Sequence, residues 1–334
     1  MILVTGATGR VGLRLARLLA GAGVPATAMV RAKTRAGRLP AGMPHLVAAL
    51  EAPPPPDVLR RFDRVFLLSP TGPGQAAAEI VFADALAAAG HRPHVVKVAA
   101  DGFQEPCCEV RFMRGHRRIA AHLARTGLPV TYLAPNLYME DLLAAAATVR
   151  SRGALLAPAG DGAVGFVAAA DVAAVAVRAL SGEEEVGQVH LPTGPESLGL
   201  ADVARRLSDA CARPVRYAEV SPAEARRGML AAGLSAWHAD GMLELFDWVR
   251  RGGCATVTDD VPQATGREPV SMAEWLAGTR AAFTGRPPAT SPLAWSPDTG
   301  RGSDVGRGPC GGRGPGAGGV DGMMGGWRSQ GDQR

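Results

Sequence analysis

The sequence predicts an α/β fold: a doubly wound parallel sheet followed by a smaller, mainly helical C-terminal region. Three observations carry this. Short apolar runs alternate with helical stretches through Ala134. A glycine-rich turn joins the first such run to the first helical stretch. Beyond Leu200 the pattern turns almost wholly helical. Strands alternating with helices of this length imply parallel βαβ units.

The elements follow in order. Residues 2–5 form a short apolar strand, and 10–20 repeat their apolar positions with helical spacing. Residues 25–30 give a second strand and 46–50 a weak third. Residues 64–69 (RVFLLS) are a buried fourth strand, then 75–89 a helix closed by Gly90. Residues 94–99 (HVVKVA) are a fifth strand, 111–126 a helix stopped by Gly127, and 129–134 (PVTYLA) a sixth strand. Residues 136–149 look helical, and 153–165 read as a Gly-rich loop. A helix over 171–180 takes Asp171 as its N-cap, and 188–191 return to the main sheet as a strand. Helices follow over 200–212, 222–232, 235–251 and 272–283, with Ser221 and Ser271 as N-caps. Trp237, Leu243, Phe246 and Trp248 read as packing residues.

The organisation is therefore a nucleotide-binding core over 1–135, a substrate region over 136–284 and a tail over 285–334. The last 34 residues hold 13 Gly, too little apolar surface to offset ordering entropy, so the tail is expected to be disordered. Its Arg-Gly repeats have too few aromatics for base stacking.

Composition narrows the function classes. The 334 residues are 47% hydrophobic and 20% charged, enough to bury a sizeable core. Net charge is +5, but six Arg and four Asp from Arg286 onward leave only +3 for the rest. Lys occurs only at Lys33 and Lys97, and an Arg bias beside abundant Ala, Gly and Pro reflects GC-rich codons rather than a nucleic-acid face. No apolar run reaches the roughly 18 residues of a membrane span. The start, MILVTGATG, has no basic segment followed by a long apolar run, so a cytoplasmic protein without a leader is expected. The five Cys (107, 108, 211, 254 and 310) include no CxxC and indicate neither a disulfide framework nor zinc. His91 and His94 lack the carboxylate or thiol that would complete a metal set.

Thr5-Gly6-Ala7-Thr8-Gly9-Arg10-Val11-Gly12 is the strongest signal, since it leaves a strand and opens a helix. Gly6 permits the tight turn, Gly9 lets backbone approach a pyrophosphate, and Gly12 lets helix and sheet pack closely. Helix N-terminal amides then face the phosphates along a favourable dipole. Gly6, Thr8, Gly9, Arg10, Val11 and Gly12 are accordingly assigned to a dinucleotide, and the sheet is of Rossmann type.

The end of the second strand selects the dinucleotide. A carboxylate there would bond a ribose 2′-OH and repel a 2′-phosphate. This chain has Arg31, then Lys33 and Arg35, and no acid until Glu51. Cationic groups favour the phosphate, so NADP(H) is expected over NAD(H), although Lys33 and Arg35 also read as solvated surface charge. Ser69, Pro70 and Thr71 follow the fourth strand and should border the cofactor ribose.

TGATGRVG, VFLLSP, HVVKVAA, HRRIAAHLARTGLPVTYLAPN and LPTGPESLGLADVA, in this order, resemble the NmrA-like family of atypical short-chain dehydrogenase/reductases, from Met1 to about Thr284. The resemblance implies a Rossmann sheet with a smaller substrate region and binding of NAD(P)H. Members of the family include quinone, azo-dye and triphenylmethane-dye reductases, and others that sense cofactor redox state for a partner. Ordinary relatives use a Ser, a Tyr and, four residues on, a Lys. Counting back from Gly127–Pro129 puts Phe112 at the Tyr place, His116 at the Lys place and Ala99 or Ala100 at the Ser place.

Phe has no proton to give, so simple ketone reduction is not expected. A quinone or azo acceptor delocalises the incoming charge and can take its proton from water, leaving mainly proximity and orientation to the protein. His116 is the surviving candidate proton donor or ribose contact, or else a solvated helix histidine. Lys97, inside an apolar strand, either reaches the cofactor or forms a structural ion pair. Tyr138 and Asn136 follow the sixth strand at the ligand-binding edge of the sheet. Asn136 matches a position the family keeps polar near the cofactor, while Tyr138 and Phe112 are assigned to substrate. Asp101, after the fifth strand, is either a base or a solvated loop acid. The expected function is an NADPH-dependent reductase of a conjugated small molecule; the alternatives are a redox sensor that binds a protein partner and a biosynthetic enzyme for a non-redox step.

Overall fold

Seven parallel strands order the molecule. They run β3 (His45–Val47), β2 (Ala26–Val30), β1 (Ile2–Val4), β4 (Arg64–Leu67), β5 (His94–Val98), β6 (Val130–Leu133) and β9 (Val189–His190) across the sheet. The structure, a computed structural model, describes residues 1–182 and 186–285. The tail beyond Gly285 lies outside the described residues.

Each strand sends alternate side chains to opposite faces. Ile2 and Val4 join Val11, Leu15 and Leu19 of α1 (Arg10–Gly21) and Val172, Val175 and Ala176 of α6 (Ala169–Ala179). Leu3, Val65 and Val95 face the other way, onto Leu59 of α2 (Pro56–Leu59), Phe82 and Leu86 of α3 (Gln75–Ala88), and Ile119 and Leu123 of α4 (Arg111–Thr126). A third core lies beyond the carboxyl edge of the sheet. It gathers Phe103, Met113, Met139, Val149, Leu207, Trp248 and Phe283.

Residues of the first half such as Phe103 and Met113 meet the second half of the chain there. Besides α6 and β9, that half comprises α5 (Ala146–Arg152), β7 (Ala154–Ala157), β8 (Ala163–Val164), β10 (Leu198–Gly199), α7 (Leu200–Cys211), β11 (Arg216–Glu219), α8 (Pro222–Ala231), α9 (Ala236–Arg250), α10 (Asp260–Thr265) and α11 (Met272–Thr284). Ser221 and Ser271 cap α8 and α11 as expected, each within a capping box closed by Glu224 or Glu274.

Three expectations for the second half need correction. The helix foreseen over 136–149 is a 3₁₀ segment, Met139–Ala145, followed by α5. The Gly-rich stretch over 153–165 holds two strands, β7 paired with β11 and β8 paired with β10. Asp171 is not an N-cap, because α6 starts after Ala168. Its buried carboxylate instead accepts the Val270 amide at 2.8 Å and pairs with Arg267 at 2.8 Å, tying α6 to the loop before α11.

Candidate nucleotide and substrate site

The turn after β1 is shaped by contacts that admit no side chain. Thr5 Oγ1 accepts the Leu68 amide at 2.8 Å and lies 2.9 Å from the Leu68 carbonyl, so it holds the ends of β1 and β4 together. Gly6 has φ +59°, and a Cβ there would sit 2.7 Å from Leu68 O. A Cβ on Gly12 would sit 2.2 Å from Gly6 O, so the first turn of α1 rests directly on the loop backbone. Gly9 is the exposed N-cap of α1; no side chain caps the helix there, and no acid occupies its first turn. The first amides of α1 thus lack a side-chain acceptor and face outward with the positive end of the dipole. Such a cradle fits a dinucleotide pyrophosphate. Thr8 is half-buried in the turn, and Val11 turns inward to the core.

Arg10 connects this turn to the second half. Its guanidinium donates to Asp141 at 2.7 Å and lies 5.2 Å from the Tyr138 ring centre. One turn on, Arg14 reaches Glu140 at 3.2 Å, and Glu140 also accepts the Ala169 amide at 3.1 Å. Burial raises the Tyr138 phenol above its ordinary value, so it stays protonated beneath Arg10. Past β2, Arg31 and Lys33 are exposed, while Arg35 lies half-buried in a 3₁₀ turn, Lys33–Arg38.

At the ends of β4 and β5 a buried polar network replaces the two separate residues expected there. Ser69 Oγ donates to Glu79 Oε1 at 2.6 Å, and Gln75 reaches the same oxygen at 3.2 Å. Lys97, only 1% exposed, pairs with Glu79 Oε2 at 2.8 Å and also donates to the Val98 carbonyl. Glu79 is fully buried on α3. The sequence reading passed over it, although a lysine inside an apolar strand calls for a carboxylate on the facing helix. His116 is buried, not solvated, on the inner face of α4. Burial first, and then the Lys97 charge, hold its imidazole well below its ordinary value, so it is neutral at neutral pH. Its Nδ1 has no hydrogen-bond partner among the described residues. Pro70 is exposed beside this network.

Asn136 is 2% exposed and spans two segments. Its Nδ2 donates to Cys254 O at 2.8 Å, and its Oδ1 accepts the Leu137 amide at 2.7 Å. Phe112 packs on Trp237 of α9 with ring centres 5.4 Å apart. Gly241 makes room for it, since a Cβ there would lie 2.4 Å from the Phe112 ring. Arg111 clamps Glu244 of α9 at 2.7 Å and 3.0 Å. His238, near the start of α9, lies 3.0 Å from Thr71 O in the loop after β4. Helix α9 therefore sits over the loop after β4, and sequence periodicity alone did not place it there.

No helix among the described residues is long and apolar enough to cross a membrane. Residues 1–253 match the sequence model of the NmrA-like family. The chain is 33% identical over 285 residues to an NAD(P)H azoreductase of Xenophilus azovorans, covering 85% of this chain and 99% of that one. It is 35% identical over 286 residues to the (4-alkanoyl-5-oxo-2,5-dihydrofuran-3-yl)methyl phosphate reductase of Streptomyces griseus, covering 85% and 99%. Its fold matches that of an NADPH-dependent quinone oxidoreductase from Escherichia coli, solved with NADPH, at a TM-score of 0.76 and 24% identity over 84% of this chain and all of that one. With a glycine cradle of this geometry and a family match over most of its length, the chain belongs to the NmrA-like family.

Proposed function

We propose that this protein is an NADPH-dependent oxidoreductase that reduces a conjugated small molecule of the quinone or azo kind. One observation carries the reading. Beside a dinucleotide cradle, the places of the usual Ser, Tyr and Lys are held by Ala99 or Ala100, Phe112 and His116. Such a site can orient a hydride donor and an acceptor but offers no phenol to protonate a simple ketone. The azoreductase and the dihydrofuranyl phosphate reductase among the relatives both act on conjugated systems, which supports the same substrate class.

The bound nicotinamide would supply hydride, and the chain would supply its placement. Gly6, Gly9 and Gly12 would clear the pyrophosphate cradle, with Thr8 and Arg10 beside it and Val11 lending only its backbone. Arg31 follows β2 and would pair with a 2′-phosphate, and no acid follows until Glu51. Ser69, fixed by Glu79, borders the ribose together with Pro70. Asn136 holds the end of β6 to the Cys254 loop, and Phe112 packed on Trp237 would exclude water around the acceptor.

Steady-state oxidation of NADPH and of NADH against quinones and azo dyes tests this reading. NADPH should be consumed only when an acceptor is present. The variant R31S should raise KM for NADPH by about tenfold to a hundredfold, the worth of a lost charged hydrogen bond, and leave KM for NADH unchanged. Acceptor-independent absorbance in every case would defeat the reading.

A further inference from the structure

Two polar atoms near the carboxyl edge of the sheet are buried without a hydrogen-bond partner, and they belong to neighbouring groups. One is Oδ2 of Asp101 and the other is Nε1 of Trp248. Asp101 is the third residue past β5, and its amide donates to Pro135 O at 3.0 Å, which pins it beside the end of β6. Gly102, next in the chain, has φ +80°, and a Cβ there would lie 3.2 Å from Trp248 Nε1 and 3.5 Å from Cys108 Sγ. A Cβ on Gly253 would come within 2.3 Å of the same nitrogen. Two glycines thus bring backbone close against the N–H edge of a ring that is only 8% exposed.

Buried polar atoms are as a rule satisfied, so an exception calls for a specific cause, among them a catalytic role or an absent ligand. This pair lies where an open parallel sheet receives ligands. The strand order reverses between β1 and β4, so a dinucleotide bound at the turn after β1 extends past the ends of β4 and β5. We propose that Asp101 donates the proton to the reduced acceptor and that the Trp248 indole N–H holds the same substrate heteroatom. This rests on the reductase reading above and goes further, by naming the acid that the missing phenol left unassigned.

The surroundings fit a protonated carboxyl. Burial first, and then the charge of Glu105 in the same loop, raise Asp101 to about 6, against the pull of the Gly102 amide. Roughly a tenth of it is therefore protonated at neutral pH. Cys108 and Cys254, which face this region, are kept as thiols by burial, Cys254 being pushed up to about 12. Arg117 is spent on the carbonyls of Phe103, Glu105 and Cys108. Arg251 lies over the Trp248 ring at 5.3 Å from its centre. His116, an imidazole rather than an imidazolium, is a far weaker acid.

In the step, hydride from NADPH adds to one end of the conjugated acceptor, and the displaced electron pair moves to the heteroatom at the other end. That heteroatom takes the Asp101 proton: the carboxyl O–H bond breaks, an N–H or O–H bond forms, and the carboxylate recovers its proton from water.

The test uses the full chain with NADPH and the variants D101N, D101E and W248F. For the wild type, kcat with an azo acceptor should fall as pH rises through about 6. D101N should lose at least about tenfold in kcat and the pH limb with it, while the NADPH dissociation constant stays unchanged. D101E should keep the limb. A second readout needs no turnover. The indole ¹⁵N–¹H resonance that disappears in W248F should titrate near pH 6 in the wild type and stay flat in D101N. An active wild type with an unaltered D101N profile and a flat indole resonance overturns this proposal alone. A wild type that binds NADPH and reduces no acceptor overturns the reductase reading and this proposal together.

Discussion

Lys97 and Glu79 show how one side chain decides the fate of another. Each would be intolerable alone in this part of the core, where both are almost wholly removed from water. Breaking such a pair leaves an uncompensated charge, whereas removing both partners can be neutral. K97M and E79L should each lower unfolding stability by about 3–5 kcal/mol, and K97M/E79L should regain most of it. Urea denaturation of the four proteins checks this; additive losses would mean that the pair is not a unit. The cycle also reports on the site, because Ser69 loses its acceptor in E79L. Lys97 was readable from sequence as a charge in need of a partner. Glu79 was not, because it lies in an Ala-rich helix with no apolar stripe to show which side faces the sheet. Asp101 was readable as a loop acid, but its burial depends on residues 248–254, which no local pattern joins to it.

Among the elements, α4 was legible to the residue. A clean apolar stripe ran from its start, and Gly127 ended it in the left-handed region at φ +70°. The strands β7 and β8 were not legible, since they are four and two residues long and draw their pairing from segments far along the chain. The meeting of α4 and α9 was equally hidden, and it turns on Gly241. In an exposed helix an alanine there would add up to about 1 kcal/mol of stability. Here its Cβ meets the Phe112 ring, which Trp237 holds in place. G241A should therefore cost about 1–2 kcal/mol through overpacking. In an F112A background the same change should stabilise, by up to about 1 kcal/mol. Thermal unfolding of the single and double variants measures the reversal, and a G241A that stabilises the wild type would show that α9 gives way freely.

At the scale of the molecule, the parallel sheet followed from the alternation of apolar runs, which is local information. The third core did not, because its members come from seven or more separated segments whose meeting depends on β11, α9 and α11. The chain also does not finish one half before starting the other. Helix α6 covers Val11, Leu15 and Leu19 of α1, and β9 pairs with the outer edge of β6. A fragment ending at Pro135 would leave that stripe and edge bare. It should bind a hydrophobic dye and fail to bind NADPH, as fluorescence titration would show; a fragment that binds the nucleotide would contradict this.

The same overlap constrains how such a protein can diversify. Since Val172, Val175 and Ala176 complete a surface begun by Val11 and Leu15, the second half, to which some of the proposed substrate contacts belong, is not a detachable cassette. A chimera that borrows it from a relative must import α6 and α1 as a matched set, so new specificities should arise more readily by change within α9 and the 248–254 loop than by exchange of halves.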